Sequence, residues 1–283
     1  MSTGPAGHVA RSTTVRPQCE TPQTSSSAPL RTFLQTADGI RVEAVYERGH
    51  VVYDTLTPPS RRIAFVVAHG FTGAADKPHV RRIAGALGRY GAVVTFSFRG
   101  HGASGGRSTV GDREVLDLAA AVAWARERGH DRVVTVGFSM GGSVVLRHAA
   151  LHPGAADAVV SVSAPARWYY RGTAPMRRVH WLITRPEGRL VGRYGLRTRI
   201  QNGGWDPVPL SPVEAVPGIA PTPLLIVHGD RDGYFPVDHP RMLATAAGDH
   251  GELWLEPGMG HAEHAADDGL LARIGDWAAE RAG

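Results

Sequence analysis

The stretch from Val133 to Leu146, Val-Val-Thr-Val-Gly-Phe-Ser-Met-Gly-Gly-Ser-Val-Val-Leu, constrains this chain more than any other. Its first four residues are β-branched and favour an extended strand, and a helix-permissive segment runs on to about Leu151, where Pro153 stops it. Between the two sits Gly137-Phe138-Ser139-Met140-Gly141. The order is strand, sharp turn, helix. So tight a turn strains the serine backbone, and a Cβ at Gly137 or Gly141 would run into the neighbouring strand or helix. It holds the Ser139 hydroxyl out at the C-terminal end of the strand, beside helix N–H groups that favour developing negative charge. With 35 glycines in 283 residues the five-residue pattern also arises by chance, so its weight comes from the strand and helix on either side and from its partners.

The flanking chain repeats the same alternation. Phe33 to Thr36 and Ile40 to Tyr46, joined by Ala37-Asp38-Gly39, read as an antiparallel hairpin, and a turn near Pro58-Pro59 leads to the unbroken apolar run Ile63 to Ala68. A run of that kind belongs to a strand covered on both faces. A helix from about Lys77 to Tyr90, a strand from Ala92 to Phe98, a helix from about Asp112 to Arg128 and a strand from Arg132 to Gly137 follow. After the helix behind Ser139 comes the strand Ala158 to Val162. The pattern resumes at Leu224 to His228 with a helix from about Val237 to Ala247, a strand from Glu252 to Leu255 and a closing helix from about Asp268 to Arg281. The fold class is α/β: a mostly parallel, doubly wound sheet with right-handed crossovers and an antiparallel N-terminal hairpin. In such sheets ligands bind beyond the carboxyl ends of the strands.

Two regions depart from that rhythm. Residues 1–30 are rich in Ser, Thr and Pro with few large apolar residues, so a disordered tail is expected, with the folded domain spanning 31–283. Residues of about 165–222 form an insertion too long for an ordinary connection, and its Trp168, Tyr169, Tyr170, Trp181, Tyr194 and Trp205 argue against disorder. We read it as a cap over the strand ends, some of whose aromatic residues face substrate while most pack. Nine arginines lie there against Glu187, Asp206 and Glu214, a net of +6, so the formal charge of +5 is concentrated in this segment. A solvated face accounts for such a run; a preference for an anionic or phosphate-bearing substrate is the sharper expectation.

A serine hydroxyl is a poor nucleophile until a base takes its proton and an acceptor fixes that base. The loop after Val227 supplies His228-Gly229-Asp230-Arg231-Asp232, and the loop after Leu255 supplies Gly258-Met259-Gly260-His261. Serine, acid and histidine thus follow one another along the chain, each at a strand end. In these motifs the chain resembles the α/β-hydrolase superfamily, and within it capped members similar to monoacylglycerol lipases, lysophospholipases and serine-aminopeptidase-like hydrolases. The resemblance runs from about Thr32 to the C-terminus. It implies that Ser139 is the nucleophile of a nucleophile elbow, Asp232 the acid and His261 the base of a catalytic triad. Because His69-Gly70-Phe71 matches the segment after the third strand, it also implies an oxyanion hole formed by the Phe71 and Met140 N–H groups. Arg99-Gly100-His101-Gly102-Ala103-Ser104 matches a further family turn, with Phe98 where an aspartate often stands. The function so implied is hydrolysis of a carboxylic ester through an acyl-enzyme, with activity falling at acid pH because His261 must be neutral. Thioester, amide or N-terminal peptide cleavage, acyl transfer to another acceptor, and a ligand receptor without turnover are the alternatives.

Other residues have plainer readings. Asp230 is the rival of Asp232, and an aspartate in a turn commonly bonds local N–H groups. His264 decorates the start of the last helix, and His69 and His228 bond backbone. His-Ala-Glu-His at 261–264 lacks the i, i+4 spacing of a helical zinc pair, so no metal is expected. Gly100 to Gly105 fits Gly-x-Gly-x-x-Gly, but no helix opens directly behind it, so no nucleotide cofactor is expected. Thirty of the 31 basic residues are arginine and no aromatic platform or zinc spacing accompanies them, which argues against nucleic acid. No apolar run reaches the roughly 18 residues of a membrane span, no secretory h-region is visible, and Cys19 is the one cysteine. A small-molecule ester as partner and a cytoplasmic location are therefore expected, with the oligomeric state open.

Overall fold

The computed structural model describes residues 1, 28–49 and 62–282; most of the expected tail, with Cys19, and the turn at Pro58-Pro59 lie outside them. Eight strands form one sheet: β1 (Leu30–Gln35), β2 (Arg41–Glu47), β3 (Ile63–Ala68), β4 (Ala92–Phe96), β5 (Arg132–Phe138), β6 (Ala158–Val162), β7 (Leu224–Gly229) and β8 (Gly251–Glu256), in the order β1-β2-β4-β3-β5-β6-β7-β8. Pairing is antiparallel for β1 with β2, starting at Gln35 opposite Arg41, and for β2 with β4; it is parallel from β4 through β8.

The unbroken apolar runs are covered on both faces. Phe65 and Val67 of β3 pack with α1 (Pro78–Leu87) and α9 (Asp268–Arg281), through Ile83, Leu87, Leu271 and Ile274. Ala64 and Val66 face the other way, toward α2 (Glu114–Glu127), α3 (Met140–Leu151) and α7 (Asp238–Ala247), where Leu118, Val145 and Leu243 lie. This alternation is the two-residue period of a strand divided between two layers. A fully buried Leu, Ile or Phe contributes roughly 1.5–3 kcal/mol, so the paired layers hold the sheet rigid where β5 delivers Ser139.

Chain order reverses at β3, which has β4 on one side and β5 on the other, so the crossovers leave on opposite faces and open a crevice at the C-terminal strand ends. Between β6 and β7 the chain forms α4 (Ala174–Thr184), α5 (Pro186–Tyr194) and the short α6 (Pro212–Ala215), and α8 (Ala262–Ala265) follows β8. The sequence alternation gave no elements for the β6–β7 segment. Start signals were present: Thr173 caps α4 by accepting from the Met176 N–H, and Pro175 and Pro186 stand in the first turns of α4 and α5. Among the described residues no helix is long and apolar enough to cross a membrane.

Candidate active site

Ser139 ends the β5 turn and caps α3 with φ 51° and ψ −113°, a left-handed conformation that costs a non-glycine residue of order 1–3 kcal/mol. The surroundings enforce it. A Cβ on Gly137 would stand 2.2 Å from the Gly141 carbonyl oxygen, and one on Gly141 would stand 2.1 Å from that of Ala68. Both glycines are therefore required by close backbone approach, and β3, β5 and α3 meet directly under the serine.

The loops after β7 and β8 bring two further groups to it. The Ser139 hydroxyl lies 2.9 Å from His261 Nε2, and His261 Nδ1 lies 2.7 Å from Asp232 Oδ2. With Nδ1–H donating to the carboxylate, Nε2 is left as the acceptor facing the hydroxyl. The other oxygen of Asp232 accepts from the Tyr234 and Phe235 N–H groups at 2.8 and 3.1 Å. Burial alone would raise this carboxyl, but the hydrogen bond and charge of His261 and the Phe235 N–H outweigh it and hold it below the usual carboxylate range. Tyr234 stacks on the His261 ring with centroids 4.2 Å apart. Asp230 takes another role: it is exposed and accepts from the Gly258 N–H at 2.7 Å, away from His261. Spacing alone could not separate the two aspartates, whose fates differ by which residue of the loop after β8 each one meets, Gly258 or His261.

The segment after β3 is stitched in place by buried groups. His69 Nδ1–H donates to the Gly70 carbonyl at 2.7 Å while its Nε2 accepts from the Phe98 N–H at 3.0 Å. Burial pushes its pKa well below the usual histidine value, so it stays neutral. Glu263 accepts from the Gly70 N–H at 3.1 Å, and His101 accepts from the Thr72 N–H at 3.2 Å. The Phe71 N–H between them carries no hydrogen bond among the described residues. The same holds for Met140, the first residue of α3, while the Ser139 N–H is spent on the Val162 carbonyl at 2.8 Å. Phe71, Met140, Ser139 and His261 all line one cavity.

That cavity measures about 800 Å³, at the upper end of the usual range for a small-molecule site, and opens between the strand ends and the β6–β7 segment. Apolar side chains dominate its walls, among them Trp168, Met176, Ile183 and Trp205. The indoles are anchored by their N–H groups, Trp168 on the Pro209 carbonyl at 3.0 Å and Trp205 on that of Thr109 at 2.6 Å. His228 lies behind Asp232, with Nε2–H donating to the Phe235 carbonyl at 2.8 Å.

Sequence reasoning missed three supports. Glu263 and Tyr234 have no local signal marking them. Glu114, fully buried, accepts from Ser108, Thr109, Val110 and Gly111 through five hydrogen bonds of 2.5–3.1 Å, which fix the loop forming one wall of the cavity. The Arg99 turn is structural as well: Arg99 bonds Asp117 and Asp38, tying α2 to the β1–β2 hairpin, while Phe98 is buried in the core. Gly100 and Gly102 adopt positive φ in that turn, and α2 begins only at Glu114, so no helix N-terminus stands behind the glycines.

A family model described as the alpha/beta hydrolase fold matches residues 63–182. The esterase Pf2001 of Pyrococcus furiosus superposes with a TM-score of 0.70 over 93% of this chain and 95% of its own, at 23% identity. The chain has the α/β-hydrolase fold. The chain is also 28% identical over 253 residues to a monoacylglycerol lipase of Mycolicibacterium smegmatis, covering 75% of this chain and 85% of that protein. The α/β-hydrolase GrgF of a Penicillium species matches 90% of the chain and 99% of its own, with a TM-score of 0.68 at 18% identity.

Proposed function

We propose that this chain is a serine hydrolase of the esterase and lipase type, cleaving a carboxylic ester through an acyl-enzyme. One observation carries the reading: Ser139, His261 and Asp232 form an unbroken hydrogen-bonded relay, 2.9 and 2.7 Å, at the wall of a largely apolar cavity. His261 Nε2 takes the hydroxyl proton as Ser139 Oγ attacks the ester carbonyl, and Asp232 stabilises the imidazolium. The free Phe71 and Met140 N–H groups receive the oxyanion; one such donor is worth roughly 3–4 kcal/mol of the barrier. Collapse of the tetrahedral adduct expels the alcohol, which takes its proton from His261. Water then attacks the acyl group, giving its proton to His261 and restoring Ser139 as the acid leaves.

The segment 165–222 serves as the cap of this site, and its apolar wall fits a substrate with a substantial acyl chain; the similarity to a monoacylglycerol lipase supports that class. Labelling with a fluorophosphonate probe tests the proposal, comparing the native chain with Ser139→Ala, Asp232→Asn and His261→Gln and measuring p-nitrophenyl esters of short and long acyl chain. Labelling that needs Ser139 and His261 is expected, with faster turnover of longer chains. A folded native chain that neither labels nor turns over would instead be a ligand receptor on this fold.

A charged ester is a second reading, favoured by Arg171. It lines the cavity with no carboxylate in bridging distance among the described residues, whereas Arg167 is tied to Asp238 at 2.7 Å. Matched anionic and neutral esters test it: equal rates with no salt dependence would remove the idea.

A further inference from the structure

Three groups that spacing along the chain does not connect meet beside the segment after β3. His79 of α1 and Glu263 and His264 of α8 each offer a ligand atom, and these atoms lie within 4.8 Å of one another. His79 Nε2 is 3.8 Å from Glu263 Oε1, shielded from solvent, and without a hydrogen-bond partner. The His79 and His264 rings lie 4.3 Å apart, His264 being exposed and free to turn. Two imidazoles and one carboxylate make a donor set suited to zinc. Tetrahedral ligands at about 2.1 Å from a metal stand about 3.4 Å from each other, so closing the group asks for rotamer shifts of about an ångström or less at His79 and Glu263.

We propose that His79, Glu263 and His264 bind Zn²⁺ and that the ion inhibits the enzyme by competing for the Glu263 carboxylate. The inhibition, though not the binding, rests on the esterase reading. Glu263 is the acceptor that holds the Gly70 N–H at 3.1 Å, one residue before the Phe71 N–H assigned to the oxyanion. A Cβ on Gly70 would stand 2.8 Å from that carboxylate, so the two groups are in direct contact. Drawing Glu263 toward the metal frees the Gly70 peptide and lets the Phe71 donor turn. Arg82 lies nearby, but its guanidinium is spent on Asp268 at 2.8 Å and on the Glu263 and Ala266 carbonyls. Its charge weakens the site, which suits a reversible ion over a structural one. The pair His261 and His264 has the wrong spacing for zinc; the fold supplies the second imidazole from His79, 185 residues before His264, instead.

The test is calorimetric titration of the full chain with ZnCl₂ at pH 7.5, on native protein and on His264→Ala, His79→Asn and Glu263→Gln, with ester turnover measured in parallel. Expected are one ion per native chain, affinity at least tenfold weaker in each variant, and a rate falling at least fivefold with Zn²⁺ and recovering with EDTA. His264→Ala is exposed, should fold as the native chain does, and should keep its basal rate while losing zinc sensitivity. Zinc affinity unchanged in His264→Ala, or no stoichiometric binding by native protein, would overturn the site. Binding lost in the variants with no effect of zinc on a measurable native rate would overturn the coupling to Gly70. A chain with no esterase turnover leaves the calorimetry to decide the site alone.

Discussion

In the sheet, every residue of β3, β4 and β6 is buried; in the α4–α5 pair only Leu182, Gly188 and Gly192 are, while Trp181, Leu190 and Tyr194 are 46%, 57% and 74% exposed. The loops at the strand ends and the helical pair line the same cavity. The sheet side holds its groups by backbone contact and buried hydrogen bonds: glycine against carbonyl beneath Ser139, and Glu114 and Glu263 on the wall loops. The helical pair holds its side with few buried contacts. On the proposed function, chemistry that needs sub-ångström placement sits on the rigid part, and the wall that meets a variable part of the substrate sits on the part with the least burial to lose.

The largest effect should come from the rigid side. Ser139→Ala is expected to lower kcat about 10⁴-fold or more with an unchanged melting temperature, and Asp232→Asn to lower it about 10³- to 10⁴-fold by misplacing the His261 proton. Steady-state ester hydrolysis with a melting curve for each variant checks both. Because its hydrogen bonds hold the Asp232 carboxyl below the usual carboxylate range, protonation of Asp232 should not set the fall in rate toward acid pH, which a pH–rate profile read against protein stability checks.

Next come changes that break the packing contrast. Phe65→Ala in β3 is expected to cost about 3–5 kcal/mol in urea unfolding. Glu114→Gln replaces an acceptor facing five donors with a group that carries its own N–H, and should cost about 1–3 kcal/mol with a weaker KM for long esters. In the helical pair, Leu190→Ser should change stability by less than about 0.5 kcal/mol. A loss there as large as that of Phe65→Ala would end the distinction between the two regions.

The smallest effect concerns pH. The hydrogen bond from Arg99 lowers the Asp38 pKa from 3.8 to about 2. A depressed carboxyl contributes stability that is full above the unfolded pKa and is lost as pH falls toward the folded one. The melting-temperature gap between native chain and Asp38→Asn should therefore be steady above about pH 5 and shrink between about pH 4 and 2.

The sequence alone determined the sheet, its antiparallel hairpin, the turn at Ser139, and the order of serine, acid and histidine, because these rest on alternation, propensity and glycine needs within a few residues. The helices α4 and α5 were less legible, since little of them is buried and the apolar stripe of α4, Met176, Val179, Leu182 and Ile183, lines the cavity, although Thr173, Pro175 and Pro186 marked their starts. The tertiary structure decided which aspartate reaches His261, which N–H groups stay free, and that Glu263, 193 residues from Gly70, meets the loop beside the serine. A buried carboxylate is placed by the donors that satisfy it, and when those arrive from another strand end no local pattern records them.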